Sequence, residues 1–191
     1  RSQKRGRGRR RCRCPPERES SLEAPGTLKH GSGKTGIPAR ANRISGLGSI
    51  GLPVAKAIQQ QGVRVIASDL SPVKEFEAVE PDKIYETECD LFSPCATGGV
   101  LDKETIDRLR CKVICGGANN PLATQEDAER LRERGIIYIP DILSNSGATI
   151  YGASRTIQEE DQIESRFKAI PSLVREILQQ AEKENRSPHF V

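Results

Sequence analysis

Gly46-Leu47-Gly48-Ser49-Ile50-Gly51 lies between two readable segments. Ile44-Ser45 before it reads as the end of a short apolar strand, and Ser49 to Gln60 reads as a helix with Val54, Ala55 and Ile58 on one face. The next strand, Arg64-Val65-Ile66-Ala67-Ser68-Asp69, ends in an acid about 20 residues beyond the glycines. Alone, a Gly-x-Gly-x-x-Gly string is weak evidence in a chain with 17 glycines. Flanked by strand, helix and acid, it is the fingerprint of a dinucleotide-binding βαβ unit. Gly46 permits a tight turn, Gly48 lets the backbone approach a pyrophosphate, and Gly51 allows close helix packing, so the free N–H groups at the helix start face the phosphates. Asp69, followed by Leu70, would accept hydrogen bonds from the adenosine ribose 2′-hydroxyl and repel a 2′-phosphate, which argues for NAD over NADP.

Beyond that unit the strand and helix signals keep alternating. Asp90 to Pro94 reads as an apolar strand stopped by proline, Asp102 to Arg110 as a helix with an Asp N-cap, and Lys112 to Cys115 as a strand. Thr124 to Arg134 reads as a helix whose Thr124-x-x-Asp127 start has the form of a capping box, closed by Gly135. Ile136 to Pro140 is the last strand, followed by helical stretches at 148–156 and 163–183, with Pro171 expected in the first turn or at a kink. Strands separated by helices of this length predict an α/β fold: a doubly wound, mostly parallel sheet with helices on both faces. The expected organisation is a basic, disordered head over 1–40, a dinucleotide-binding domain over 41–158 and a C-terminal helical segment over 159–191.

Composition agrees with one buried sheet. The 191 residues can bury one ordinary core. Aromatics are only 4% and Trp is absent, so that core must come from Ile, Leu, Val and Ala. Charged residues make up 29% and mean hydropathy is −0.55, with no apolar run near the roughly 20 residues a bilayer span needs. A cytoplasmic protein with no membrane partner is expected. The six cysteines, including Cys12, Cys14, Cys111 and Cys115, make no four-ligand zinc pattern, and His30 and His189 are the only histidines. They read as reduced thiols, most of them core filler, and no metal is expected.

The net charge of +4 hides an asymmetry: residues 1–40 hold twelve Lys/Arg against three Asp/Glu, while the rest is net acidic. Such a head could touch nucleic-acid phosphates or act as a targeting segment, yet it has no interleaved aromatics and no apolar signal core, so a solvated tail is the preferred reading. Gly31-Ser32-Gly33-Lys34-Thr35 ends like a P-loop, but that motif requires glycine where Leu28 stands. The chain begins with Arg and contains no Met, which suggests a fragment.

Four further stretches carry a resemblance. Glu88-Cys89-Asp90-Leu91-Phe92-Ser93-Pro94-Cys95-Ala96-Thr97-Gly98-Gly99 is followed by Asp102-Lys103-Glu104-Thr105-Ile106, then by Gly116-Gly117-Ala118-Asn119-Asn120-Pro121-Leu122-Ala123. Glu133-Arg134-Gly135-Ile136-Ile137-Tyr138-Ile139-Pro140-Asp141 then leads to Asn145-Ser146-Gly147. In order and spacing, residues 44–185 resemble the cofactor domain of the glutamate/leucine/phenylalanine/valine dehydrogenase family, in the form found in the branched-chain and aromatic amino acid enzymes. The resemblance implies hydride transfer from an L-amino acid to NAD with release of ammonia and a 2-oxo acid, and homo-oligomeric assembly. It implies cofactor contacts from the Gly46–Gly51 loop, Asp69 and Leu70, from Cys95 and Ala96, and from Ala118, Asn119, Asn120 and Asn145. The amides of Asn120 and Asn145 would orient the nicotinamide carboxamide or the substrate, unless they are loop turns held by their own bonds. Cys95 is expected as a pocket wall, since no base stands nearby in the sequence. The family's catalytic lysine and aspartate lie in an N-terminal substrate domain that this sequence is expected to lack, so no catalytic residue is assigned; an inactive nucleotide-binding remnant is the alternative. Only 19 residues separate Asp69 from Cys89, Pro72 and Pro81 among them, so one βα element is expected to be shortened.

Overall fold

In the computed structural model, which describes residues 41–191, the alternating segments build one sheet of six parallel strands in the order β3-β2-β1-β4-β5-β6. The strands are β1 (Ala41–Ser45), β2 (Arg64–Ser68), β3 (Glu77–Ala78), β4 (Leu91–Pro94), β5 (Val113–Ile114) and β6 (Ile137–Tyr138). The basic head, with Cys12, Cys14 and Gly31–Thr35, lies outside the described residues. β1 pairs with β2 through Ile44↔Ala67 and with β4 through Ile44↔Ser93, so the chain winds outward in both directions from β1. This is the doubly wound arrangement the pattern predicts, and its switch point falls between the carboxyl ends of β1 and β4.

Alternation along the strands feeds two cores. Helix α1 (Gly51–Gln60) lays Ala55, with Val54 and Ile58 beside it, against Ile44 and Val65 on one face. Helices α2 (Lys103–Arg108) and α3 (Glu126–Glu133) bring Ile106 and Leu131 onto Ile66, Phe92, Ile114 and Tyr138 on the other. After β6 come α4 (Asp141–Ser144), α5 (Ser146–Thr156) and α6 (Ile163–Glu184), α5 and α6 packing on each other. No helix among the described residues is long and apolar enough to cross a membrane.

The elements differ from the sequence reading in instructive ways. The crossover from β2 to β4 is short: β3 keeps two residues, and a single 3-10 turn, Lys83–Tyr85, stands where a helix would be. β5 and β6 also contract to two residues each, because only those residues find ladder partners before their loops turn toward the sheet end. β1 is not apolar: Asn42 and Arg43 are buried in it at 1% and 0% exposure. Helix α3 starts at Glu126, not Thr124; the Thr124 N–H and hydroxyl both donate to Asp127 Oδ2 at 2.9 Å, so one arm of the capping box forms while the hydroxyl does not serve as an acceptor. Pro171 sits well inside α6, beyond its first turn.

Candidate functional site

The site begins where β1 turns into α1. Gly46 has φ +87°, a left-handed conformation that side chains resist, and its N–H donates to Ser68 O at 2.8 Å, tying the loop to β2. The Leu47 N–H donates to Asp69 Oδ2 at 2.6 Å. Among the described residues the N–H groups of Gly48, Ser49 and Ile50 meet no acceptor, so they stand free at the positive end of α1. Gly51 is packed beneath them: a methyl there would lie 1.8 Å from Gly46 O. At Gly48 a methyl would meet nothing within 4 Å, so this side of the loop is open. An anionic group is what such a surface attracts.

Asp69 stands at the end of β2 with a second bond, from the Ser71 N–H to Oδ1 at 2.8 Å. The Leu47 and Ser71 N–H donors hold its carboxyl below the ordinary aspartate range, so it is an anion. A carboxylate oxygen accepts more than one bond, so capacity remains on both. Asp69 borders two hollows: a cleft of about 600 Å³ that also takes in Leu70, and a 380 Å³ hollow bounded by Leu47 and Ser71–Phe76.

The opposite wall comes from β4 and β5. The Cys95 N–H donates to Ser45 O at 2.8 Å and the Ala118 N–H to Pro94 O at 2.9 Å, which continue the sheet into the loops. Ala96 lies directly against Gly46, where a methyl would be 2.8 Å from its backbone. Burial pushes the Cys95 thiol up, against a weaker opposing bond from the Gly117 N–H, so the thiol keeps its proton. Asn119 closes the far end, its Oδ1 accepting from the Asn145 amide.

The cleft thus gathers Gly46, Gly48, Ser49, Ile50, Asp69, Leu70, Cys95, Ala96, Ala118 and Asn119. Leu47 lines the side hollow, Gly51 is packed under the loop, and Asn145 reaches the cleft wall through Asn119. Asn120 faces elsewhere. Its φ is +47°, its N–H donates to Asp141 Oδ2 at 2.9 Å, its carbonyl accepts from the Gly99 N–H at 2.8 Å, and it lines a separate 270 Å³ hollow with His189.

Several lining residues were not singled out from sequence. Tyr85, on the 3-10 turn, enters the cleft wall with its ring edge-on to Phe92 at 5.8 Å and the Arg108 guanidinium 5.8 Å from its centre. No periodicity in residues 70–88 marks it. Gly117 is a steric partner of Ile50: a methyl there would lie 2.4 Å from Ile50 Cγ2. The Ser45 hydroxyl is buried at the cleft without a hydrogen-bond partner, the kind of orphan that a polar ligand satisfies.

Comparison with known proteins follows the same lines. The profile of the Glutamate/Leucine/Phenylalanine/Valine dehydrogenase family matches residues 68–189. A leucine dehydrogenase of Thermoactinomyces intermedius is 38% identical over 130 residues, covering 64% of this chain and 36% of its own length. A phenylalanine dehydrogenase of Caldalkalibacillus thermarum is 31% identical over 166 residues, covering 77% of this chain and 44% of its own. The crystal structure of L-tryptophan dehydrogenase from Nostoc punctiforme superposes with a TM-score of 0.74 at 28% identity, over 78% of this chain and 47% of that one. The chain spans about two fifths of the length of these curated relatives. The sheet order, the glycine loop with its acid, and these matches together establish that the chain belongs to the Glutamate/Leucine/Phenylalanine/Valine dehydrogenase family.

Proposed function

We propose that the described residues are the NAD-binding half of an L-amino acid dehydrogenase acting on a branched-chain or aromatic substrate. Membership of a dehydrogenase family on this fold implies a nicotinamide dinucleotide, NAD or NADP. The observation that carries the finer reading is the cleft at the β1–β4 switch point, with free N–H groups on one side and the Asp69 carboxylate at its edge. The amide groups of Gly48, Ser49 and Ile50 would bind the pyrophosphate. Asp69 would accept from the adenosine ribose hydroxyls, and its negative charge would repel a 2′-phosphate, which favours NAD. The 380 Å³ hollow beyond Asp69 would take the adenine. Cys95, Ala96, Ala118 and Asn119 would wall the nicotinamide end, with Asn145 orienting the Asn119 amide. NAD, when bound, supplies the hydride acceptor. The preference for branched-chain or aromatic substrates rests on the relatives, which are leucine, phenylalanine and tryptophan dehydrogenases.

Calorimetric titration of the purified chain with NAD and NADP tests the binding half: NAD is expected to bind more tightly, and equal affinity or no binding overturns it. Incubation with NAD and leucine, valine, phenylalanine or tryptophan tests the activity through NADH absorbance. Binding without NADH formation would leave the cofactor assignment standing and favour the inactive nucleotide-binding remnant.

A further inference from the structure

At the opposite end of the sheet from the cleft, the chain buries a cation beside two thiols. Arg43, at the centre of β1, has no exposed surface, and a guanidinium does not lose its proton in a protein. Its Nε donates to Cys89 Sγ at 2.8 Å, Nη1 donates to Ile84 O, and the group lies 5.1 Å from the centre of the Phe92 ring. Nη2 has no hydrogen-bond partner, and among the described residues Arg43 forms no ion pair with a carboxylate. A buried charge needs a counter-charge, and the Cys89 sulfur is the group placed to carry it.

Cys111 stands next to that sulfur. The parallel register of β4 on β5 pairs Leu91 with Val113, and the Cys89 N–H donates to Arg110 O at 3.0 Å, so the pairing extends back to set Cys89 opposite Cys111. The two side chains are within hydrogen-bond reach of each other, the contact that a disulfide would replace. Both cysteines line one hollow of 880 Å³, whose rim includes exposed Glu88 and Arg110, so a small solute reaches them.

We infer that Cys89 and Cys111 form a peroxide-reactive thiol pair, with Cys89 the attacking sulfur held by Arg43 and Cys111 the resolving thiol. The ordering of the two follows the electrostatics: the hydrogen bond from Cys111 and the charge and hydrogen bonds of Arg43 lower Cys89, while the same contact and burial push Cys111 up. In the first step the Cys89 thiolate attacks one oxygen of hydrogen peroxide, the O–O bond breaks, and hydroxide leaves and takes a proton, giving a sulfenic acid and water. The Cys111 thiol then attacks the Cys89 sulfur, the S–S bond forms, and the sulfenic hydroxyl leaves with the thiol proton as a second water. Two electrons pass from the thiol pair to the peroxide.

The full chain supplies its own comparison, because Cys95 and Cys115 are both pushed up by burial and, among the described residues, no cation stands against them. After brief exposure to hydrogen peroxide, non-reducing peptide mapping is expected to find a Cys89–Cys111 crosslink. Cys89 should be consumed on the order of tenfold faster than Cys95 or Cys115, because the thiolate is the attacking form. In Cys111→Ser the reaction should stop at a sulfenic acid on Cys89 that dimedone traps, and in Arg43→Met the consumption of Cys89 should slow to the rate of Cys95. A crosslink to Cys12 or Cys14 in place of Cys111, dimedone on Cys95 or Cys115, or equal consumption of all cysteines would overturn the pair. Should Arg43→Met not fold, the Cys111→Ser result decides.

Discussion

Gly48 and Gly51, three positions apart in one loop, answer to different constraints. A methyl at Gly51 would lie 1.8 Å from Gly46 O, so Gly51→Ala must displace either the loop or α1, and its Tm is expected to fall. A methyl at Gly48 meets no protein atom within 4 Å, so Gly48→Ala should leave Tm unchanged while obstructing the side on which a pyrophosphate would lie. Thermal melts and NAD titrations on both variants check this, and a Gly48→Ala protein that binds NAD normally would count against the loop as the phosphate site. Asp69 is expected to serve both the loop and the ligand. Asp69→Ala removes the acceptor of the Leu47 N–H and the ribose contact. Since a hydrogen bond to a charged group contributes about 1.5–3 kcal/mol, NAD affinity should drop on the order of tenfold or more, with discrimination against NADP relaxed. Titration of the variant with both dinucleotides reads this directly.

Among the elements, α2 carries the best-formed terminus. The Thr105 N–H donates to Asp102 Oδ1 at 2.8 Å, and the Asp102 N–H donates back to Thr105 Oγ1 at 2.9 Å. Replacing such a cap by alanine costs about 1 kcal/mol, so Asp102→Ala should lower Tm by a few degrees. The Thr105 backbone N–H holds the Asp102 carboxyl below its ordinary value. With the folded pKa depressed, this stabilisation is complete above the unfolded aspartate pKa, about 4, and is lost as pH falls through the lower folded value. The Tm difference between wild type and Asp102→Ala should therefore be constant near neutrality and shrink only in acid, as melts across pH would reveal. This cap was readable because the box is local, its partners three residues apart. At the start of α3 the spacing of Thr124 and Asp127 was readable, and the Thr124 N–H does donate to Asp127, but spacing does not say that the hydroxyl donates as well or that the helix proper begins at Glu126. The lengths of β5 and β6 were not readable either, since a strand ends where its neighbour ends, and neighbours come from distant sequence.

For the whole molecule, the doubly wound parallel arrangement was legible because most of its strands and helices announce themselves locally and right-handed crossovers then leave few arrangements, whereas the two-residue β3 was not. The cleft was legible on its glycine and Pro-Cys-Ala walls, where the turn chemistry is written in consecutive residues. Tyr85 and Arg43 were not. Tyr85 reaches the cleft from an aperiodic crossover, and Arg43 looks in sequence like the polar edge of a strand, though neighbours on both sides cover it completely. If the cleft is the dinucleotide site, ligand binding must stabilise the whole fold by mass action, about 2.7 kcal/mol at a hundredfold excess over Kd. NAD should raise Tm accordingly, and NADP at the same concentration should raise it less; equal shifts would remove Asp69 as the discriminating group.

The contact between Ile50 and Gly117 bears on how that cleft can move. Ile50 belongs to the turn entering α1 and Gly117 to the turn leaving β5, and only the missing side chain at 117 lets the isoleucine methyl settle there. The two turns therefore pack on each other at this point, with Ile50 still 46% exposed on its outer side. On the other side of the entrance, at the rim formed by the shortened crossover near Pro81, Leu70 is 97% exposed. Trimming Leu70 to alanine should then alter how fast a dinucleotide enters and leaves more than how tightly it is held, a difference that stopped-flow kinetics would resolve.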